Sequence, residues 1–183
     1  VIFTILFNRI LGVGSDSAIP YPIFTYTALL PWTYFSGTLS RGAISLVGNR
    51  NLISKIYFPR LIVPISGVLP GLVDFGIAFI ILLIMMAYYN LVPSIQILLL
   101  PLSLLLAMIT ALGVSLWLSA LNVQYRDIQY VAPFLVQIWM YATPIIYPVS
   151  RIPEQWLWLY NLNPMVGVVQ SFRWVLLGDS SFG

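Results

Sequence analysis

Three long apolar runs constrain the fold of this chain more than any other feature of its sequence. Residues 23–47, 61–89 and 95–121 are each long enough, as helices rising about 1.5 Å per residue, to cross the ~30 Å hydrocarbon core of a bilayer. Hydrophobic residues make up 60% of the 183 residues and charged residues only 7%. A soluble domain of this size could not bury so much apolar surface. We therefore expect an all-α, polytopic transmembrane helix bundle.

The remaining apolar segments predict further membrane contact. Residues 131–147 predict a fourth span, marginal in length and bent by Pro133 or Pro144. Val1–Phe7 lacks the features of a signal peptide, so we interpret it as the end of a helix that begins before residue 1. The polar residues 179–183 suggest that more helix follows. Residues 1–183 are thus expected to be one transmembrane domain of about five spans, truncated at both ends.

The few basic residues predict which side of the membrane the loops face. If the loops at 48–60 and 122–130 are cytoplasmic, five basic residues lie on or near that side and three on the other. The first group is Arg41, Arg50, Lys55, Arg60 and Arg126, and the second is Arg9, Arg151 and Arg173. Cytoplasmic loops of membrane proteins carry such an excess. The chain is therefore expected to be a multi-pass protein of the cytoplasmic membrane.

Residues 150–178 hold two apolar segments that are each too short to span. Pro153 and Glu154 suit the first turn of one helix, Asn163 and Pro164 suit the start of a second, and Gly178 suits its end. Six apolar residues recur on one face of the second helix: Met165, Val168, Val169, Phe172, Val175 and Leu176. Two short helices dipping into, or lying in, the outer leaflet fit this pattern, and so does an ordinary outer cap on the bundle.

Most enzyme and metal sites need residues that this chain lacks. It contains no His and no Cys, which excludes Cys/His metal sites, thiol chemistry and nucleophile–histidine pairs. It contains no G-x-x-x-x-G-K-[ST] motif, so no P-loop ATP site is expected. One lysine in the whole chain excludes the dense basic face of a nucleic-acid-binding protein. We predict no catalytic residue, no metal site and no cofactor bound by the chain itself.

Asp74 is the acidic residue that the apolar runs place at membrane depth. A carboxylate there is costly, so it either serves a function or is paired. We favour a structural role, with Asp74 paired to Arg126 or capped by hydroxyl groups, and Asp127 paired to the adjacent Arg126 in a loop.

Aromatic residues in the spans are candidates for contact with a substrate. Trp139 and Tyr141 lie within the fourth predicted span, where amphipathic rings can slide along the apolar and hydroxyl faces of a sugar. They are about 200° apart on a helix, so we expect one of them to line a path, shared with Gln137 or Thr143. The candidate lining residues are Trp32, Phe35, Gln137, Trp139, Tyr141 and Tyr147. The alternative is that these rings belong to the bundle core or to an interfacial belt.

Residues 48–60 form a short basic and aromatic cassette between two predicted spans. Exposed aromatic residues beside basic groups are typical anchors of protein contacts. The cassette is therefore the expected contact with a soluble partner, through Asn51, Lys55, Tyr57, Phe58, Pro59 and Arg60.

A series of motifs in residues 20–178 resembles the membrane subunits of type-2 ABC exporters, in the branch that exports O-antigen, capsule and teichoic acid. The most specific are the cassette at 51–60 and Leu162-Asn163-Pro164-Met165. The others are Tyr21-Pro22, Leu30-Pro31-Trp32, Val73-Asp74-Phe75, residues 122–127 and Phe172-Arg173.

The resemblance implies a permease half-transporter of the bacterial inner membrane with six spans in the full-length chain. It implies that residues 48–60 are a coupling helix on a separate ABC ATPase, which binds ATP and Mg. It also implies that residues 150–178 are re-entrant helices at the periplasmic exit and that aromatic residues line a channel for a lipid-linked polysaccharide. Because about five spans cannot enclose a polymer, a homodimer is expected.

Two other functions remain open at this point. An ion- or proton-coupled carrier would need intramembrane ionisable groups, of which Asp74 is the one candidate. A multi-pass transferase acting on lipid-linked sugars would need acid and base groups that the sequence does not supply.

Overall fold

The computed structural model describes residues 19–49, 65–93, 95–146 and 153–178, including every side chain there except those of Leu46 and Glu154. Within these ranges the chain forms six α-helices and no strand, which confirms the all-α class. The helices are α1 (Tyr21–Gly48), α2 (Leu69–Tyr88), α3 (Leu100–Gln124), α4 (Ile128–Tyr141), α5 (Glu154–Asn161) and α6 (Pro164–Leu177). A 3-10 turn, Ile95–Leu99, leads directly into α3.

The central element is α1, which packs against α2, α3, α4 and α6. Its closest partner is α3, whose buried face carries small residues at four-residue spacing: Ser103, Ala107, Ala111, Ser115 and Ser119. Small residues allow two helix backbones to approach closely. A Cβ on Gly42 of α1 would lie only 2.8 Å from the Cβ of Ser115, so this crossing requires glycine. Near the same end, the Asn122 side-chain amide donates to the Ala43 carbonyl at 2.8 Å.

Two helices, Leu69–Tyr88 and Ile95–Gln124, are long and apolar enough to cross a membrane. Their large apolar side chains are mostly exposed on the protomer, including Val73, Ile77, Ile80, Ile84, Leu102, Leu105 and Ile109. A soluble protein would bury such a helix in its core, because exposed apolar patches of this extent are rare in water. These faces are therefore suited to lipid or to another membrane subunit.

The predicted spans at 23–47, 61–89 and 95–121 coincide with helices, although α2 begins only at Leu69. The 28-residue α1 is less apolar than the other two and carries buried Thr25, Thr27 and Thr38. Its neighbours cover these hydroxyl groups. The predicted helix at 1–7 and the cassette from Arg50 onward lie outside the described residues.

Two predictions for residues 122–147 differ from the structure in their bounds. The helix of the fourth predicted span, α4, has 14 residues and so a length of ~20 Å, short of the ~30 Å core. The chain leaves the helix beside Pro144, one of the two prolines predicted to bend this span, whereas Pro133 lies inside α4. The chain turns at 142–146. The expected loop at 122–130 shrinks to residues 125–127, because Asn122 anchors the last turns of α3 to α1.

Candidate functional site

The short helices α5 and α6 are joined by a tight turn, Leu162 and Asn163. The Asn163 side chain caps α6 by accepting a hydrogen bond from the Met165 N–H at 3.0 Å, and Pro164 follows it as predicted. Gly178 ends α6 with φ 66°, a left-handed conformation that favours glycine. The six apolar residues predicted to share one face of this helix are all buried. The sequence-based bounds of α6 are thus confirmed.

The Asn163 side chain also joins the α5–α6 turn to the end of α4. Its oxygen accepts from the Trp139 indole N–H at 2.9 Å. Its amide group donates to the Thr143 hydroxyl at 3.1 Å and to the Ala142 carbonyl at 3.3 Å. The Thr143 hydroxyl in turn donates to the Trp139 carbonyl at 2.9 Å. The Asn163 side chain therefore caps α6 and also binds the Trp139 indole ring and the first residues after α4.

Ring contacts show how far along α1 this turn lies. The Trp139 ring packs edge-on against Phe35, which is at the middle of α1, with centroids 5.3 Å apart. Further along α6, the Arg173 guanidinium lies 3.8 Å from the ring centroid of Phe24, near the start of α1. Helix α6 therefore begins level with the middle of α1 and runs toward the first residues of α1.

Residues 142–146 leave the helical hydrogen-bond pattern, yet residues 143–146 are buried. Three carbonyls of this segment accept bonds from side chains of other elements. Asn163 bonds Ala142, the Arg173 guanidinium donates to Ile145 at 2.9 Å, and the Tyr21 hydroxyl donates to Ile146 at 2.9 Å. Irregular backbone away from water needs such partners, because an unsatisfied carbonyl in an apolar setting costs several kcal/mol.

The burial of Arg173 was missed in the sequence analysis, which counted it as an outer-side charge interrupting an apolar face. In the structure it is 5% exposed, because its guanidinium stacks on Phe24 and donates to the Ile145 carbonyl. A cation against an aromatic ring is favourable once water is excluded. The available signal was an arginine within an otherwise apolar helix, which by default marks a paired or functional group.

The six candidate lining residues lie in different environments in the structure. Trp32 and Phe35 are 4% and 0% exposed and pack together, with Trp139 half-buried beside Phe35. Gln137 and Tyr141 lie on the opposite, exposed face of α4. Tyr147 lies outside the described residues. We therefore take Trp32 and Phe35 as core residues of the protomer and do not retain them as candidate lining residues.

A groove of about 470 Å³ opens where the α5–α6 turn meets the end of α4. Its lining is mostly apolar, formed by Trp139, Ala142, Leu159, Tyr160, Leu162, Asn163 and Pro164.

The charged residues singled out in the sequence, Asp74, Arg126 and Asp127, do not line the groove. Asp74 pairs with Arg41 at 3.8 Å, not with Arg126 as expected. Arg126 and Asp127 are exposed in the turn between α3 and α4. Within the described ranges, no three His, Cys, Asp or Glu residues lie close enough together to hold a metal ion.

A long central helix, flanked by two apolar helices with exposed faces and by a short helix that starts level with its middle, is typical of a helical membrane protein. The ABC-2 type transporter family matches residues 1–177, and the chain belongs to this family. The resemblance to type-2 ABC exporters is thus confirmed.

The chain is also similar to individual permeases of known systems. It is 29% identical over 175 residues to the O-antigen export system permease protein RfbA of Myxococcus xanthus, covering 94% of this chain and 66% of that protein. It is 28% identical to the RfbA of Klebsiella pneumoniae over 94% and 68% of the two chains. It is 27% identical to the polysialic acid transport protein KpsM of Escherichia coli over 85% and 60%. The chain thus spans about two thirds of the length of these relatives.

Replacing Asn163 tests its role at the turn. Asn163→Ala should lower the free energy of unfolding by about 2 to 4 kcal/mol, because it removes a helix cap and leaves the Trp139 N–H unpaired. Asn163→Asp keeps the acceptor oxygen and loses both amide donors, so its free energy of unfolding should lie between those of the wild type and Asn163→Ala. Unfolding of the full-length protein in detergent by titration with dodecyl sulfate measures the change.

Asn161→Ala is the matched control, since Asn161 is exposed in the last turn of α5. Equal stability of the Asn161 and Asn163 alanine variants would contradict the role assigned to Asn163.

Proposed function

We propose that this chain is the pore-forming membrane subunit of an ATP-driven ABC exporter that moves a lipid-linked polysaccharide across the bacterial inner membrane. Two of the relatives are named for O-antigen export and a third for polysialic acid transport, which favours a polysaccharide substrate. A separate ATPase subunit hydrolyses ATP, and residues 48–60 are its coupling contact. Two copies of the chain form the path at a two-fold axis, because the three long helices in the described residues are too few to enclose a polymer.

The observation that carries this proposal is the start of α6 beside Trp139, level with the middle of α1. Non-helical backbone at membrane depth is tolerated where it is buried in protein or lines a cavity. We infer that α5 and α6 re-enter the membrane from the outer side and that, with residues 142–146, they close the outer end of the path. Movement of α5, α6 and residues 142–146 together would open the path without unfolding any long helix.

An ion-coupled carrier is the weaker alternative. It would need Asp74 as an ion or proton site, and that carboxylate is already paired with Arg41. A transferase would need an acid–base pair, and the pairing of Asp74 with a guanidinium favours a structural carboxylate over a catalytic one.

Removing two aromatic anchors tests the coupling contact. Tyr57→Ala combined with Phe58→Ala should leave the full-length protein inserted in the membrane but unable to copurify with its ATPase subunit, because aromatic anchors dominate such contacts. The double variant should lose export of the polysaccharide, which should therefore accumulate inside the cell. Copurification from detergent and antibody labelling of the cell surface measure the two effects.

Trp156→Ala combined with Trp158→Ala is the matched control, since both side chains are exposed on α5. This pair should keep the ATPase bound. Normal ATPase binding and export in the Tyr57 and Phe58 double variant would refute the coupling assignment.

Thiol labelling tests which face of α4 lines the path. The chain has no native cysteine, so single cysteines can be placed at Gln137 and Tyr141, one helical turn apart on the exposed face. Both should react with a water-soluble thiol reagent and become protected when polymer is trapped in the path. The buried Val136 supplies the control position, where no reaction is expected. Inert cysteines at both 137 and 141 would show that this face meets lipid or protein and not the path.

A further inference from the structure

Arg41 joins α1 to α2 close to the point where both helices lead into the cassette. Its guanidinium lies 3.8 Å from the Asp74 carboxylate on α2. Its Nε also donates to the Gly67 carbonyl, just before α2, at 3.3 Å. One side chain of α1 therefore contacts both the start of α2 and the segment that precedes it.

Gly71 of α2 borders the space that this guanidinium occupies more closely than Gly37 of α1 does. A Cβ on Gly71 would lie 2.8 Å from one guanidinium nitrogen and 3.0 Å from the Tyr34 ring. A Cβ on Gly37 would lie 3.4 Å from the same nitrogen. The Tyr34 ring continues the contact by packing edge-on against Phe75, with centroids 6.2 Å apart. A Cβ on Gly76 of the same helix would meet nothing within 4 Å, so Gly76→Ala is a matched control for Gly71→Ala.

The position of this contact along the two helices matters for coupling. Arg41 precedes the end of α1 by seven residues, or roughly 10 Å, and Asp74 follows the start of α2 by five residues, or roughly 7.5 Å. The cassette lies in the chain that links these two helix ends. The Arg41 contact with α2 therefore lies in the cassette half of both helices, next to the contacts of Gly42 and Ala43 with α3.

We propose that Arg41 is a positioning residue for transport that locks α1 to α2, so that a push on the cassette moves both helices as one body. This inference rests on the proposed function. Without the lock, the two helices can tilt separately, and the movement is lost before it reaches the far end of α1, where the α6 contacts lie. Rigid-body movement of packed helices is the form of transition that such a lock permits.

The first arm of the test measures the lock itself, without substrate. Spin labels replace the exposed Asn49 and Ile65 in the full-length protein in nanodiscs, with labelled protomers diluted among unlabelled ones. Pulsed electron paramagnetic resonance should give a narrow distribution of distances between the two labels in the unmodified background and in Gly76→Ala. It should give a broad distribution in Arg41→Ala and in Gly71→Ala. The charge exchange Arg41→Asp with Asp74→Arg should narrow the distribution again.

The second arm measures polysaccharide exported per ATP hydrolysed by the complex with its ATPase. The ratio should fall about five- to tenfold in Arg41→Ala and Gly71→Ala, as for a modest coupling free energy, while Gly76→Ala stays at the wild-type value. Narrow distances in both Arg41→Ala and Gly71→Ala would overturn the proposal, and so would a wild-type ratio in both. Absence of export by the wild-type complex would instead refute the proposed function, and the distance arm would still report whether the lock exists.

Discussion

The carbonyl groups of residues 142–146 must find hydrogen-bond donors inside an apolar bundle, and the placement of the outer helices depends on how they do so. The helix that precedes them ends at Tyr141, so helical bonds cannot supply the partners. Side chains from the α5–α6 turn, from α6 and from the start of α1 supply them for three of the carbonyls, through Asn163, Arg173 and Tyr21, and the Thr143 carbonyl accepts from the Ile145 N–H. Asn163 and Arg173 tie this segment to the start and the middle of α6, Tyr21 ties it to α1, and together they hold α6 against α1 and α4.

This arrangement links the two ends of α1 in different ways. At one end, side-chain donors fasten an irregular segment and the short helix α6 to α1. At the other end, Gly42 packs on Ser115 of α3, and Arg41 reaches Asp74 on α2. Close glycine packing and an ion pair favour stiffness near the cassette, while hydrogen bonds to an irregular segment can be exchanged. A movement that starts at the cassette would thus travel along a stiff α1 toward contacts that can rearrange.

Local signals in the sequence predicted local structure well. Asn163, Pro164 and Gly178 bound α6 because capping depends on residues a few positions apart. For α4, the two prolines offered alternative bends at 133 and 144, and hydropathy did not decide between them, because both the helix and the buried turn after it are apolar. The burial of Arg173 and the partner of Asp74 depend on distant contacts, such as the bond from Tyr21 to Ile146 across 125 residues, which no periodicity reveals. The cassette was found from composition alone, and its contact with an ATPase stays a prediction.

Two spin-label distances in the full-length protein test most directly whether α6 starts deep in the membrane. One label replaces Leu162 at the turn, the other replaces Leu177 at the end of α6, and each is paired with a label at Asn49 at the end of α1. If α6 runs from the level of Phe35 to that of Phe24, the distance from 162 to 49 should be shorter than that from 177 to 49 by roughly 10 Å or more, since α1 rises about 1.5 Å per residue. Equal distances would mean that α5 and α6 lie flat on the outer surface, and would contradict the re-entrant arrangement.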